Sequence, residues 1–351
     1  MRKTGFFLAV VSLFIFGFSG KFATTPYRFP ELKLFPKMPV AGNNPVTVEG
    51  VKLGRYLFYD PVLSIDSSMS CANCHKQQFA FSDSPNGFSN GRNGALMKRN
   101  TMPLFNLAWY PAFFWDGRAT GIEEQILHPV RAIDEMNLQW RVAAGRLETN
   151  KFYKQMFTQA FGNQKIDSVQ VANAIAQFLR TLISYQSKYD KVLNGQGSFT
   201  KDEYDGFVFV NDQTKGDCIH CHITDGDVLG TTLVFSNNGL DAISDAQDYK
   251  DKGRGAVTGN LTDNGKFIVP SLRNLAFTAP YMHDGRFKTL EEVLDFYSEG
   301  VQQSANIDSK MGFAHQGGAK LTGGDKNKII AFLLTLSDSA FISNPEFSKP
   351  D

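Results

Sequence analysis

The four cysteines of this 351-residue chain fall into two pairs of identical spacing, and a histidine follows each pair at once: Cys71-Ala72-Asn73-Cys74-His75 and Cys218-Ile219-His220-Cys221-His222. Two thiols three positions apart can each form a thioether to one vinyl group of the same porphyrin. The adjacent imidazole then lies beneath the iron as its proximal ligand. A zinc site or a redox-active thiol pair also uses cysteines at this spacing. Two matches that consume every cysteine, each with its histidine and both behind an export signal, select two covalently attached c-type haems. His220, inside the second motif, reads as a solvent-facing side chain rather than a ligand.

The elements that must hold these motifs are repeated too. The motifs lie 147 residues apart. Asn106-Leu107-Ala108 recurs as Asn274-Leu275-Ala276, Asp116-Gly117-Arg118 as Asp284-Gly285-Arg286, and Ile122-Glu123-Glu124 as Leu290-Glu291-Glu292, all displaced by 168 residues. A late segment, Ala174 to Leu182, resembles Ile329 to Leu336, and both carry apolar residues at helical spacing. A duplicated module is the simplest cause. The fold class is therefore mainly α, with two cytochrome c-like haem domains at 45–190 and 200–340. Turn-forming residues at Leu193-Asn194-Gly195-Gln196-Gly197-Ser198 mark the linker. The 31 glycines and 14 prolines suit long irregular loops around a haem. Strand alternation is scarce, Thr231 to Ser236 being at best a short hairpin arm. Trp115 precedes the first Asp-Gly-Arg, whereas His283 precedes the second, so the two haems have different tasks.

Composition narrows the classes further. Hydrophobic residues make up 42% and charged residues 20%, with a formal net charge of +1. This suits a globular protein with sizeable cores and lacks the concentrated basic excess of a nucleic-acid binder. The 31 phenylalanines fit a fold wrapped around flat apolar cofactors, or simply a Phe-rich core. At the amino end, Arg2 and Lys3 precede an apolar run from Phe6 to Phe18 and the small residues Ser19, Gly20 and Ala23. That run is short for a spanning helix and reads as a secretory signal over 1–23, an uncleaved anchor being the alternative.

Over nearly the whole chain after this leader, the sequence resembles the bacterial di-haem cytochrome c peroxidases and the related MauG-type enzymes. The resemblance rests on Leu53-Gly54 to Phe58, Ser70 to His75, Asn100 to Arg118, Glu124-Gln125, Glu135-Met136, the second haem motif, and Val269 to Arg286. It implies two cytochrome c domains with one calcium ion near their interface, in the periplasm, and homodimers are common among such proteins. The N-terminal haem would react with hydrogen peroxide. The C-terminal haem would take electrons from a small donor, a cytochrome c or cupredoxin, with a tryptophan between the two. Trp115 matches that tryptophan. Asn100, Thr278 and Pro280 match the calcium ligands, the last two through backbone oxygens, although Asn and Pro in loops are usually turn formers. Gln125 and Glu135 match the distal groups of the peroxide haem.

Two departures bear on ligation. Many members carry a methionine ligand fourteen residues after the histidine matching His283; here that position is Tyr297, as in MauG-type enzymes, where a tyrosine ligates. The other candidates for the sixth ligand are Met311 and His315, and Tyr297 with Leu294 also reads as the core face of a helix from Leu290 to Tyr297. Many members also carry a distal histidine about sixteen residues after the first motif. That position here is Gly91-Arg92, and no histidine occurs between Lys76 and Leu127. Met97 and Met102 read as packing residues, and Arg92 as a solvated loop arginine or a group that reaches the pocket. The N-terminal haem is therefore expected to meet peroxide without prior reduction.

The residue chemistry points the same way. Heterolytic cleavage of an O–O bond needs an open iron position and a group that carries a proton from the near oxygen to the departing one. A carboxylate in a dry pocket serves, because desolvation raises its pKa toward working pH. Glu135 is the candidate, with Gln125 positioning peroxide or water. The plainer reading makes Glu135 a surface acid, and assigns Glu123, Glu124, Asp116 and Arg118 to helix starts and ion pairs. Three functions compete: a peroxidase, a MauG-like oxidase that modifies a partner protein, and a non-catalytic electron carrier. A carrier has no use for an open haem with distal Glu and Gln.

Overall fold

A computed structural model describes residues 23–39 and 42–351. All of the 1–23 leader except Ala23 lies outside the described residues. Among those described, no helix is long and apolar enough to cross a membrane.

Short helices joined by long loops carry the chain. The first half contributes α1 (Val48–Tyr59), α2 (Cys71–Cys74), α3 (Ile122–Arg131), α4 (Trp140–Thr149), α5 (Lys151–Phe161) and α6 (Ser168–Thr181). The rest contributes α7 (Lys188–Leu193), α8 (Lys201–Asn211), α9 (Gly255–Thr258), α10 (Leu290–Asp295), α11 (Gly323–Thr335) and α12 (Ser339–Ser343). Extended structure is limited to β1 (Phe235–Ser236), antiparallel to β2 (Phe267–Ile268) with Phe235 opposite Ile268. The Thr231–Ser236 arm thus shrinks to two residues. Leu193 ends α7, and Gly195, at φ +71°, turns the chain where the linker is expected.

The repeat seen in the sequence has a packing counterpart. Helix α6 starts at Asp167, whose carboxylate accepts from the Gln170 N–H, and its Val171, Ala174, Ile175, Phe178 and Leu179 are all buried. Full burial of such a side chain is worth roughly 1.5–3 kcal/mol. Helix α1 crosses α6 so closely that a Cβ on Gly54 would lie 1.9 Å from the Ala174 carbonyl oxygen. Helix α8 crosses α11 in the same way, with Gly206 against the Lys328 carbonyl, again 1.9 Å. Glycine is required at both crossings because the backbones themselves touch.

The loops repeat as well. Asn106 and Asn274 are both left-handed, at φ +56° and +62°. Their N–H groups donate to the carbonyls of Leu182 and Leu336, just past α6 and α11, at 2.9 and 3.2 Å. Each Asp-Gly-Arg closes a turn, bridged by Phe113 and Ala119 in one half and by Tyr281 and Phe287 in the other. The Asp116 and Asp284 carboxylates accept from the N–H groups of Arg118 and Arg286.

The main core gathers residues of α1 and α3–α6, and it also takes in Phe341 and Phe347 from the end of the chain. There the Tyr59 hydroxyl donates to the Phe347 carbonyl at 2.7 Å and Arg55 Nε to the Ser348 carbonyl at 2.6 Å. A second core joins Tyr189, Val210, Leu290, Leu294, Ile329 and Phe332.

Candidate haem centres

Helix α2 presents the first motif. The Asn73 carboxamide oxygen accepts from the Ser70 N–H at 2.8 Å, which fixes the start of the turn carrying Cys71 and Cys74. None of the four cysteines is paired in a disulfide. Burial pushes Cys71 and Cys218 up to about 12, Cys74 up to about 11, and Cys221 upward as well. A redox pair or thiolate metal site has the opposite need, a stabilised anion. Among the described residues, no cluster of three or more His, Cys, Asp or Glu side chains is placed to hold a metal ion. The donor chemistry fits uncharged thioethers.

The two motif histidines are anchored differently. His75 Nδ1 lies 2.7 Å from the Phe81 carbonyl, so it donates there and leaves Nε2 with a free lone pair for iron. His222 Nδ1 is buried without a hydrogen bond of good geometry. The Gly230 and Pro270 carbonyls lie near enough to favour its protonated form, but burial outweighs them and holds the imidazole down at about 4. Burial lowers His75 too. Burial thus disfavours the charged form of both rings, and the neutral form it favours is the one that ligates iron. His222, Cys218 and Cys221 line a long cavity that also meets Met282, Tyr297 and Met311. His220 pairs at 2.7 Å with Asp217 and keeps 38% of its side chain exposed, so it is partly solvated rather than free.

Glu135 sits in a turn just past α3, its N–H donating to the Ala132 carbonyl at 3.1 Å. Its side chain is half-buried. Desolvation pushes the carboxyl up to about 7, with Asp134 adding to the shift and Arg118 opposing it. Its charge is felt at the thiols of Cys71 and Cys74, so it lies within electrostatic reach of the first motif. Gln125 is half-buried on α3, the helix that leads into this turn. Glu123 instead pairs with Arg180 at 2.6 Å, Glu124 accepts from the Thr120 N–H, and Asp116 pairs with Arg118. The loop at Gly91-Arg92 packs onto the same turn. A Cβ on Gly91 would meet the Asp134 carbonyl at 2.1 Å, and the Arg92 N–H donates to that carbonyl at 2.8 Å. Arg92 is half-buried rather than solvated, and its Nε has no partner.

Trp115 joins the halves. Its Nε1 donates to the Asn100 carbonyl at 2.8 Å, and the Asn100 N–H donates to the His283 carbonyl at 2.7 Å. The Trp115 and His283 rings lie 6.4 Å apart, and His283 stacks on Phe267 at 3.6 Å. Trp115 belongs to the first core's side of the chain yet lines the cavity of the second motif. Arg99 bridges Asp116 and Asp251 beside it, both at 2.7 Å.

Asn100, Thr278 and Pro280 border that same cavity. The Thr278 and Pro280 carbonyls accept no backbone hydrogen bond among the described residues. The Asn100 side-chain nitrogen donates to the Gly87 carbonyl at 3.1 Å, which leaves its side-chain oxygen free to face elsewhere. Three neutral oxygens of this kind suit a hard cation that completes its shell with water.

Tyr297 differs from expectation in its backbone. The α-helix ends at Asp295, and Tyr297 lies in a π turn, Phe296–Gly300, a geometry that recurs at functional sites. Burial pushes its phenol up to about 12, and Asn238 opposes the shift. The Asn238 Nδ2 donates to the phenol oxygen at 3.0 Å and to Met282 Sδ at 3.6 Å. His315 is on the surface, with Nδ1 on the Gly312 carbonyl at 2.9 Å. Asn238 and Met282 escaped the sequence reading. Met282 sits at φ +74°, and the repeat register pairs it with Phe114 at φ +64°, a correspondence that was available. Nothing in the sequence near Asn238 marks it.

A family model described as di-haem cytochrome c peroxidase matches residues 48–198. The methylamine utilization protein MauG of Methylophilus methylotrophus is 34% identical over 313 residues, covering 86% of this chain and 87% of that protein. The cytochrome c551 peroxidase of Nitrosomonas europaea is 30% identical over 321 residues, covering 90% and 86%. Among solved structures, a MauG-like protein associated with microbial copper homeostasis is 33% identical, with a TM-score of 0.84 over 92% of this chain and 99% of that one. The diheme peroxidase BthA from Burkholderia thailandensis shares the fold, with a TM-score of 0.70 at 22% identity over 90% of this chain and 91% of that one.

Proposed function

Because the chain belongs to the di-haem cytochrome c peroxidase and MauG family, and so is an oxidoreductase with two c-type haems that acts on peroxide, we propose that it reduces hydrogen peroxide to water at the His75 haem. In this reading one peroxide, two electrons and two protons give two waters. The electrons come from a small cytochrome c or cupredoxin by way of the His222 haem. The haems supply the iron that receives peroxide and the store of reducing equivalents.

The chain's own residues do the rest. Glu135 takes the proton from the near peroxide oxygen and returns it to the departing one, a shuttle that works best when the acid's pKa is close to working pH. The observation that carries this reading is the Glu135 carboxyl, half-buried within electrostatic reach of the first motif and held at about 7. Gln125 orients the peroxide. Trp115, hydrogen-bonded to Asn100 and edge-on to His283, lies on the route between the two haems. The oxygens of Asn100, Thr278 and Pro280 hold one calcium ion at the junction. Tyr297 is the sixth ligand of the His222 haem. Export behind the 1–23 leader, a periplasmic location and a homodimeric assembly complete the proposal, and size-exclusion chromatography tests the last.

The deciding experiment mixes the fully ferric protein with peroxide before any reductant is added. The N-terminal haem is expected to be high-spin and to react at once. A low-spin haem that stays inert until one electron is supplied would mean that another residue caps the iron. A second reading, oxidation of a partner protein as in MauG, draws support from a tyrosine at 297. Steady-state turnover with a reduced donor cytochrome separates them, being fast for the peroxidase and slow for the oxidase.

A further inference from the structure

Among the side chains that line the second cavity are the Tyr297 phenol and the Met282 and Met311 thioethers, groups of the kinds that ligate iron, and one side chain touches both Tyr297 and Met282. The Asn238 Nδ2 donates to the oxygen at 3.0 Å and to the sulfur at 3.6 Å. All three residues line the cavity that contains His222. An amide nitrogen has two hydrogens, so it can serve both acceptors at once. Its orientation follows from the partners, because a thioether sulfur and a metal-bound phenol oxygen both accept.

The position of Asn238 is fixed on either side. The neighbouring Asn237 is buried, its side chain donating to the Tyr249 hydroxyl at 2.7 Å and accepting from the Gly239 N–H at 2.9 Å. Gly239 is at φ +72°, where a Cβ would lie 2.7 Å from the Gln302 carbonyl. Tyr297 is pinned as firmly, since its carbonyl accepts from the Ala319 N–H at 2.9 Å. The contact is therefore built between two locked backbones and is not a chance approach of mobile side chains.

We propose that Asn238 is a positioning residue that selects oxygen over sulfur as the sixth ligand of the C-terminal haem. It supports the Tyr297 oxygen with one hydrogen and engages a lone pair of Met282 Sδ with the other. The inference rests on the reading of Tyr297 as ligand. The two donors have opposite consequences, because an anionic oxygen favours ferric iron whereas a thioether raises the potential.

The test uses the di-haem protein and reads the EPR spectrum and reduction potential of its low-spin haem. Asn238→Leu should shift the ratio of oxygen to sulfur ligation by about fivefold or more, the worth of one neutral hydrogen bond, and raise the potential. Asn238→Ala, which removes the amide and adds no charge, should do the same and covers a failure of the leucine variant to fold. Adding Met282→Leu to either variant should cancel the rise. Parent-like spectra and potentials in both Asn238 variants, or a rise that survives Met282→Leu, would overturn the proposal. Tyr297→Phe separates the two ways of failing. An unchanged spectrum there removes the ligand reading itself, and a changed one beside parent-like Asn238 variants removes only the role of Asn238.

Discussion

In the first half α1 crosses α6 at Gly54, and in the second α8 crosses α11 at Gly206, with the same 1.9 Å clearance denied to a Cβ in both. Around that shared frame the side chains near the two motifs diverge. The first half sets a half-buried carboxyl, Glu135, near its cysteines and ties its histidine to the Phe81 carbonyl. The second sets a phenol and two thioethers in its cavity and leaves the histidine's Nδ1 without a hydrogen bond of good geometry. In the proposed reading, the proton-carrying group serves the iron that meets peroxide, and the phenol serves the iron that passes electrons. The backbone approach is common to both halves, and the side chains around the two motifs are what differ.

The sharpest way to break this contrast is at Glu135. Glu135→Gln should retain both haems and lower peroxidase turnover by about 10²-fold or more, measured by steady-state assay with a reduced donor. Only the ionised carboxyl accepts the proton from peroxide. The rate in the parent should therefore rise as pH rises through about 7, an inflection absent from the variant. The stability linkage has the opposite sense. A folded-state pKa raised above the ordinary carboxylate value means the folded protein holds this proton more tightly than the unfolded chain. Raising pH through about 7 should thus cost the parent stability relative to Glu135→Gln. A flat pH profile in the parent would return Glu135 to the surface acids.

On the other side of the contrast, Tyr297→Phe should change the spectrum of the low-spin haem while the N-terminal haem keeps its reaction with peroxide. If the spectrum is unchanged and Met311→Ala alters it instead, the ligand lies on the 311 loop. At the junction, Asn100→Ala should weaken calcium binding by about tenfold or more, read by calcium titration of chelator-treated protein. Unaltered affinity would separate Asn100 from the cation. The shared frame gives the mildest test. Gly54→Ala and Gly206→Ala should each cost about 1–3 kcal/mol by overpacking, measured by denaturant unfolding. A cost in one half alone would mean that the two crossings are not equivalent.

Much of this was legible in the residue order because it is local or periodic. The haem motifs are contiguous, and the Asn-Leu-Ala and Asp-Gly-Arg repeats mark left-handed and tight-turn positions that recur at matching φ. The apolar spacing of α6 and α11 announced the helices that the glycines approach. What escaped was either non-local or geometric. Asn238 touches a residue 59 positions away. The π turn at Tyr297 is a change of backbone register that no spacing announces. For Arg92 the sequence left open a solvated loop residue and a group that reaches the pocket, and the fold of that loop onto the Asp134 carbonyl is a non-local contact that no spacing shows.

Residues Phe341 and Phe347 tie the two halves of the described chain together. Phe341 and Phe347 complete the first core, and the Tyr59 hydroxyl reaches a carbonyl 288 residues downstream. The first core is thus completed by contacts of very high sequence separation, so the folding of the N-terminal half is coupled to that of residues far along the chain.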